Sequence, residues 1–251
     1  MMNALYSAAT GMRAQQSSMD VVANNLANAT TVGFKRDRVD LVDLDYQPFL
    51  LAEGGEAQVG LGSAPGQIAK EHEQGALQQT GRALDVAVQG EGFLQVVRPD
   101  GTLAYTRAGN LQTDANGRIG LPGGELLQPR ITVPAGAGAV TIAPDGQVSA
   151  VVNGAVQNLG RIETASFANP GGLRALGDSQ FAATANSGVA AVGAPGTDGR
   201  GALSQGVVEA SNVNVGTEMI SLITTQRAFE AAAKVVTASD EMMGMANGLR
   251  R

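Results

Sequence analysis

The stretch MMNALYSAATGMRAQQSSMDVVANNLANATTVGFKR, residues 1–36, decides how the rest of the chain can fold. Two rows of residues recur in it every seven positions, and the second row follows the first by three. The rows are Leu5, Met12, Met19 and Leu26, then Ala8, Gln15, Val22 and Ala29. This heptad pattern predicts a helix from about residue 5 to about residue 30 with one narrow seam. A helix with such small seam residues is marginal alone and needs a partner.

The end of this helix is marked by a glycine and two basic residues. Gly33 fits the position just past a helix C-terminus. Lys35 and Arg36 could bind phosphate, but a pair of charges favoured by the helix dipole is the simpler interpretation.

The C-terminal stretch carries the matching period. Its residues step by three and four along Met219, Leu222, Gln226, Phe229, Ala233, Val236, Asp240 and Met243. Ile220 and Ile223 are expected to widen this stripe, and Asn214 is a candidate N-cap. The two ends of the chain are therefore predicted to pair as helices. Because the seams contain alanine, glutamine and aspartate, they favour packing among several helices over a two-helix core.

The middle of the chain has a different composition. All nine prolines lie between Pro48 and Pro195, and short apolar runs alternate there with turn signals such as Asn116-Gly117 and Asn153-Gly154. Short strands at close spacing predict an all-β domain of the sandwich or open-barrel kind. The predicted fold class is α+β, with a terminal helical domain (1–36 and 209–251), an extended connecting arm (37–70) and a central β domain (71–208).

Composition excludes several functions. The 251 residues carry a net charge of −6 without a long basic run, which argues against nucleic-acid binding. The absence of cysteine removes disulfides, thiol catalysis and zinc–thiolate sites. No apolar run is long enough for a transmembrane helix, and the N-terminus lacks the features of a cleaved secretion signal.

The candidate chemical residues all have simpler structural explanations. His72 is the only histidine, so it is expected to be a surface or turn residue. Residues 114–117 resemble half of a calcium loop but lack its remaining acids, so a β-turn is predicted. Asp100 and Asp145 each stand in a Pro-Asp-Gly turn. No catalytic residue, metal site or cofactor is expected.

Two motifs give the chain a recognisable family resemblance. Residues 23–36, ANNLANATTVGFKR, resemble the N-terminal signature of the axial proteins of the bacterial flagellar rod and hook, and residues 209–242 resemble their C-terminal signature. The residues that carry these motifs are Asn24, Asn25, Leu26, Asn28, Gly33, Phe34, Lys35, Arg36, Ser211, Asn212, Val213, Asn214, Gln226 and Arg227. Residues 33–47, 81–96, 104–119 and 126–134 are similar to the distal-rod members. A proximal-rod paralogue and a hook-type protein are the alternatives within the family.

The resemblance implies a structural, non-enzymatic subunit that polymerises helically into a hollow drive shaft across the periplasm. Such a shaft transmits motor torque to the hook and filament and encloses the export channel. The implied partners are copies of itself, other rod proteins, the hook protein, the outer-ring bushing and the flagellar type III export apparatus, with neither nucleic acid nor membrane insertion. Export without a cleaved signal follows from the same resemblance.

The expected assembly interface is the set of seam residues at both ends. They are Leu5, Ala8, Met12, Gln15, Met19, Val22, Leu26, Met219, Leu222, Gln226, Phe229, Ala233, Val236 and Met243. Outside the family, there are two alternative hypotheses for the function. A secreted β-domain adhesin with a coiled-coil stalk would need an exposed aromatic patch or ligand pocket. A hydrolase would need a pair of carboxylates in a cleft.

Overall fold

The computed structural model describes residues 2–50 and 56–248, which divide into two compact units. Unit 1 consists of the described residues of Met1–Ala27, Asp37–Lys70 and Asn214–Arg251. Unit 2 consists of Asn28–Arg36 and Glu71–Val213. The chain therefore passes from one unit to the other at four points, and a short N-terminal segment is built into the β-rich unit.

Two long helices pack against each other in unit 1: α1 spans Met2–Ala27 and α2 spans Val215–Gly248. The N-cap prediction is confirmed, because Asn214 Oδ1 accepts a hydrogen bond from the Thr217 N–H at 3.1 Å. α1 ends about three residues earlier than predicted. Asn28 turns the chain there, since its carbonyl accepts the Thr31 N–H at 3.1 Å and its side chain accepts the Thr31 hydroxyl at 3.1 Å.

Residues 37–70 form two antiparallel ladders in unit 1. Strand β1 (Asp37–Asp43) pairs with β4 (Ser63–Lys70), and β2 (Tyr46–Leu50) pairs with β3 (Glu56–Gly60). α1 packs on β1 and β4. The sequence assigned this stretch to a connecting arm, and the structure groups it with the helices because α1 covers the ladder.

Unit 2 holds the remaining strands in several antiparallel sheets. The largest has the order β16-β17-β8-β7-β11-β10-β9, with β15 also pairing with β7 and with β18. Smaller sheets have the orders β12-β13-β14, β19-β6 and β20-β5. The bounds are β5 Leu77–Gln79, β6 Val86–Gln89, β7 Phe93–Val97, β8 Leu103–Thr106, β9 Gln112–Thr113, β10 Ile119–Gly120, β11 Leu126–Leu127, β12 Val140–Ile142, β13 Gln147–Val152, β14 Ala155–Arg161, β15 Thr164–Ser166, β16 Arg174–Gly177, β17 Gln180–Ala182, β18 Ala191–Gly193, β19 Ala202–Gln205 and β20 Val207–Glu209.

The predicted α+β class is confirmed: long terminal helices pack together, and the centre is built of strands that do not close into a barrel within the described residues. Two clusters of buried side chains form the core of unit 2. One is aliphatic and the other contains Phe93, Tyr105, Phe167 and Phe181. His72 is half-buried with its ring edge-on to Phe93 and Phe181, at 5.5 and 5.2 Å between centroids, so it is not a plain surface or turn residue.

The turn predicted at residues 114–117 is confirmed. The Asp114 carbonyl accepts the Gly117 N–H at 3.0 Å, and Asp114 Oδ1 accepts the N–H groups of Arg118 and Asn116, each at 2.8 Å. These bonds to the charged carboxylate, led by the one from Arg118, lower the pKa of Asp114. Among the described residues, no three acidic, histidine or cysteine side chains gather as metal ligands.

Within residues 2–50 and 56–248, no helix combines the length and the apolar character needed to cross a membrane.

Candidate assembly interface

Helix α1 is covered on two faces, one of which is the predicted seam. Ala8 and Val22 are buried and most other seam residues, among them Met12 and Met19, are partly buried. Ala14 is outside the heptad rows yet fully buried, because α1 contacts the β1–β4 ladder as well as α2. The sequence missed Ala14 because a heptad pattern describes only one contact face. Ala29 lies past the helix end, in unit 2.

The seam of α2 is rotated slightly from the predicted one. Its partly buried members are Leu222, Phe229, Ala233, Val236 and Met243. Met219, Gln226 and Asp240, also assigned to this stripe, are exposed.

The most buried side chains on α2 are polar, one in its first turn and one in its second half. Glu218 is 0% exposed and Ser239 is 2% exposed. Because neither Glu218 nor Ser239 is apolar, the periodicity of apolar residues did not predict that they are buried.

A second apolar stripe runs along the opposite face of α2 and is not covered. Its members are Ile220, Ile223, Val235, Met242 and Met245, all exposed, with Ile220 at 65%. The stripe is interrupted between Ile223 and Val235, where exposed charged residues such as Arg227 and Lys234 stand. The expectation that Ile220 and Ile223 widen the seam is wrong, because they point away from it. We call these five residues the outer stripe. Exposed apolar side chains on a helix whose other face is already covered indicate a surface that binds protein.

Asn25 joins three segments of unit 1. Its amide donates to the Asp37 carbonyl at 2.8 Å and to Glu218 Oε2 at 3.3 Å, and its oxygen accepts the Asp37 N–H at 2.8 Å. Asn24 contacts the Asp37 carboxylate at 3.2 Å. Asn25, a residue of the family motif, therefore ties the end of α1 to the start of β1 and to the first turn of α2.

A buried ionic cluster lies in unit 2, centred on Glu209. Lys35 Nζ is 2.6 Å from Glu209 Oε1 and also donates to the Glu73 carbonyl at 2.6 Å. Arg107 binds the other carboxylate oxygen at 3.1 Å, and the Gly75 N–H donates to Oε1 at 2.9 Å. Lys35 is 1% exposed and Glu209 is 0% exposed, so water is excluded from the pair.

Burial sets the electrostatics of this cluster. It lowers the pKa of Lys35 and that of Arg107, and the attraction of Glu209 opposes the shift in both cases. Lys35 was interpreted as a helix-end charge, and that interpretation is wrong: it is a buried partner of an acid 174 residues away.

Asn212 extends the cluster to the neighbouring chain segments. Its Oδ1 accepts the Arg36 N–H at 2.7 Å, and its Nδ2 donates to the carbonyls of Glu71 at 2.8 Å and Glu73 at 3.1 Å. The Arg36 guanidinium binds Glu71 at 2.9 Å. We call Lys35, Arg36, Arg107, Glu209 and Asn212 together the clasp.

The other motif residues have separate positions. Gly33 donates its N–H to the Glu209 carbonyl at 2.8 Å, while Phe34 and Val213 are partly buried. Ser211 Oγ accepts the Val213 N–H at 3.3 Å. The structure thus brings residues 33–36 and 209–212 together.

Gln226 and Arg227 are not part of that group, since both are exposed on α2. Glu209 and Arg107 were missed as functional candidates. The only sequence signal for them was a charged residue inside or next to a buried strand.

The surface of unit 2 bears on the adhesin reading. Its exposed large hydrophobic residues among those described are aliphatic, as at Val156 and Val189, while its core aromatics Phe93, Tyr105, Phe167 and Phe181 are buried. The aromatic patch that an adhesin would need is therefore not seen in the described part of this unit.

Three family models match successive parts of the chain. The model described as "Flagella basal body rod protein" matches residues 5–35, "Flagellar hook protein FlgE/F/G D1 domain" matches residues 87–150, and "Flagellar basal body rod FlgEFG protein C-terminal" matches residues 204–249. Both ends that form the helix pair and part of the β-rich unit are covered. These matches define the class as the axial proteins of the bacterial flagellum.

Curated relatives narrow the class. The flagellar basal-body rod protein FlgG of Caulobacter vibrioides is 42% identical, over 99% of this chain and 100% of the relative. The protein of the same name in Borreliella burgdorferi is 41% identical over the whole of both chains, and FlgF of Salmonella typhimurium is 33% identical over 98% of each. The chain therefore belongs to the family of flagellar basal-body rod proteins. It is a structural subunit of the rod in the flagellar basal body, and membership implies assembly with other rod and hook components.

Proposed function

We propose that this chain is a distal-rod subunit that polymerises helically into a drive shaft and transmits motor torque to the hook and filament. The observation that carries the proposal is the outer stripe on α2. One face of this helix already packs on α1, so the uncovered face needs partners, and each buried Ile, Val or Met contributes about 1.5–3 kcal/mol. A contact between different faces of identical subunits generates a helical filament when the rotation between neighbours does not close a ring.

The helix pair is proposed to form the inner tube around the export channel, with unit 2 as the outer layer beneath the ring bushing. The seam residues at both ends of the chain then belong to the assembly interface, together with the outer stripe. The proposed partners are copies of this chain, other rod proteins, the hook protein, the bushing and the type III export apparatus.

The curated relatives differ in how similar they are to this chain. Those named FlgG in Caulobacter and Borreliella are 42% and 41% identical, whereas the one named FlgF is 33% identical. The distal assignment over the proximal alternative rests on the resemblance of the central β region to distal-rod members.

The test is complementation followed by imaging of purified basal bodies. In a motile host that lacks its own copy of this family member, the chain is expected to restore a full-length rod, and cryo-electron microscopy should place α2 against neighbouring subunits. Matched expression of an Ile220→Asp/Ile223→Asp variant should give exported but unpolymerised subunits. Full rods from that variant, or wild-type density found only in the proximal rod, would count against the proposal.

A further inference from the structure

We propose that the clasp is the place where force passes into unit 2 from the chain segments that connect it to unit 1. This inference rests on the proposed drive-shaft function. The chain leaves or enters unit 2 after Ala27, Arg36, Lys70 and Val213. A pull between the units loads the segments at these four points.

Two clasp residues, together with Glu71, which binds the Arg36 guanidinium, stand beside three of the four points. Arg36 is the last residue before one crossing, Glu71 is the first after another, and Asn212 lies one residue before a third. The side-chain amide of Asn212 makes three hydrogen bonds to the backbone of the other two segments: it accepts one from Arg36 and donates one each to Glu71 and Glu73. The backbone adds a direct bond from the Glu71 N–H to the Arg36 carbonyl at 2.9 Å. Three connecting segments are thus tied to one another where they enter the unit.

Lys35 and Glu209 anchor this tie in the interior. Their contact at 2.6 Å is fully buried, and Arg107 on the far side of the carboxylate also donates to the carbonyls of Val88 at 3.2 Å and Gly90 at 2.7 Å. Charge-assisted hydrogen bonds shielded from water are the strong ones. A pull on residues 28–36 therefore reaches the end of β6 through three successive contacts, from Lys35 to Glu209, from Glu209 to Arg107 and from Arg107 to the Val88 carbonyl.

Because two cations share one carboxylate, one of the cations can be removed without leaving a buried charge unpaired. Lys35→Met removes the tie to the N-terminal segment but leaves Glu209 paired with Arg107, so no buried charge loses its only partner. Asn212→Ala removes the second tie without changing any charge.

Single-molecule pulling in two geometries tests the proposal. Because the chain has no cysteine, introduced cysteine pairs can carry DNA handles in the full-length protein. Arg13→Cys with Val156→Cys pulls unit 2 through the segments that connect it to unit 1, while Val156→Cys with Val189→Cys pulls within unit 2 alone. All three positions are exposed, Val156 at 77% and Val189 at 92%.

Lys35→Met and Asn212→Ala are each expected to make unit 2 rupture ~10-fold faster at fixed force in the first geometry and to leave the second unchanged. Arg161→Met, which breaks an exposed pair with Asp145 at 3.6 Å, is the control and should change neither. Unchanged rupture in the first geometry, or equal acceleration in both, would overturn the proposal. Rod assembly by the same variants is scored separately, so the drive-shaft function and the force path can fail independently.

Discussion

At the scale of single residues, one carboxylate stands between two buried cations. Glu209→Gln leaves Lys35 and Arg107 facing each other without compensation, so we expect a loss of about 3–5 kcal/mol in the free energy of unfolding. Lys35→Met keeps one balanced pair and should cost only about 1–2 kcal/mol, the value of the lost hydrogen bonds. Urea denaturation followed by Tyr fluorescence measures both. A larger loss of stability for Lys35→Met than for Glu209→Gln would show that Arg107 alone does not compensate the charge of Glu209.

Gly33 is fixed by two independent constraints. Its φ is +68°, and a Cβ at this position would meet the Ala108 backbone nitrogen and lie 2.6 Å from the Arg107 carbonyl carbon. Gly33→Ala is therefore expected to cost more than about 2 kcal/mol, because left-handed backbone alone costs roughly 1–2 kcal/mol for alanine. Gly136→Ala is the matched control: its φ is +78° but no atom lies within 4 Å. Equal losses in the two variants, measured by thermal unfolding, would mean that the close approach at Gly33 is unimportant.

Local features at this scale were predictable and distant ones were not. The Asp114 turn depends on bonds within four residues, and the Asn214 cap on bonds within three, so the sequence indicates both directly. The role of Lys35 depends on an acid 174 residues away. Its motif could be recognised, but no spacing rule connects it to Glu209, because only the folded strands of unit 2 bring the two together.

At the scale of elements, the two faces of α2 should respond differently to a charge. Leu222→Asp places a carboxylate in the partly buried seam, and we expect it to disrupt both helix pairing and polymerisation, as does Met12→Asp on α1. Ile223→Asp lies on the outer stripe and should abolish polymerisation while the circular dichroism of the monomer stays unchanged. Unit 2 should remain folded in all three.

Thr237→Asp is the control for these variants, since Thr237 is exposed and lies outside both apolar faces. Its subunits should polymerise normally in a sedimentation assay. Polymers formed by Ile223→Asp would contradict a role for the outer stripe, and polymers formed by Leu222→Asp would contradict a role for the seam.

Periodicity predicted both helices but could not choose the covered face of α2. Met219, Leu222 and Ile223 are all apolar near the start of α2, but only Leu222 is partly buried, and the position of α1 decides this. The ladder of β1 and β4 shows the same limit. Its register shifts between Asp40 and Leu41, opposite Gly66, and such pairing across about 25 residues has no signature in a short polar stretch.

At the scale of the whole molecule, the two units differ in how much core each contains. Both clusters of buried hydrophobic side chains belong to unit 2. In unit 1, α1 and α2 bury mostly small or polar side chains such as Ala8, Ala14 and Ser239. Local stability follows the amount of buried apolar contact, so unit 1 is expected to open first in an isolated subunit.

Limited proteolysis of the purified monomer should therefore cut unit 1 first, in α1, in α2 and within residues 37–70, and leave a resistant fragment from near Glu71 to near Val213, identified by mass spectrometry. Assembly covers the outer stripe, so helical circular dichroism and protease resistance of both ends should rise together when subunits polymerise. The Ile223→Asp variant provides the matched comparison, because it should remain protease-sensitive at any concentration. If the ends of the wild-type monomer resist protease as long as unit 2 does, the helix pair is stable by itself. The outer stripe would then bind neighbouring subunits without being needed for the folding of unit 1.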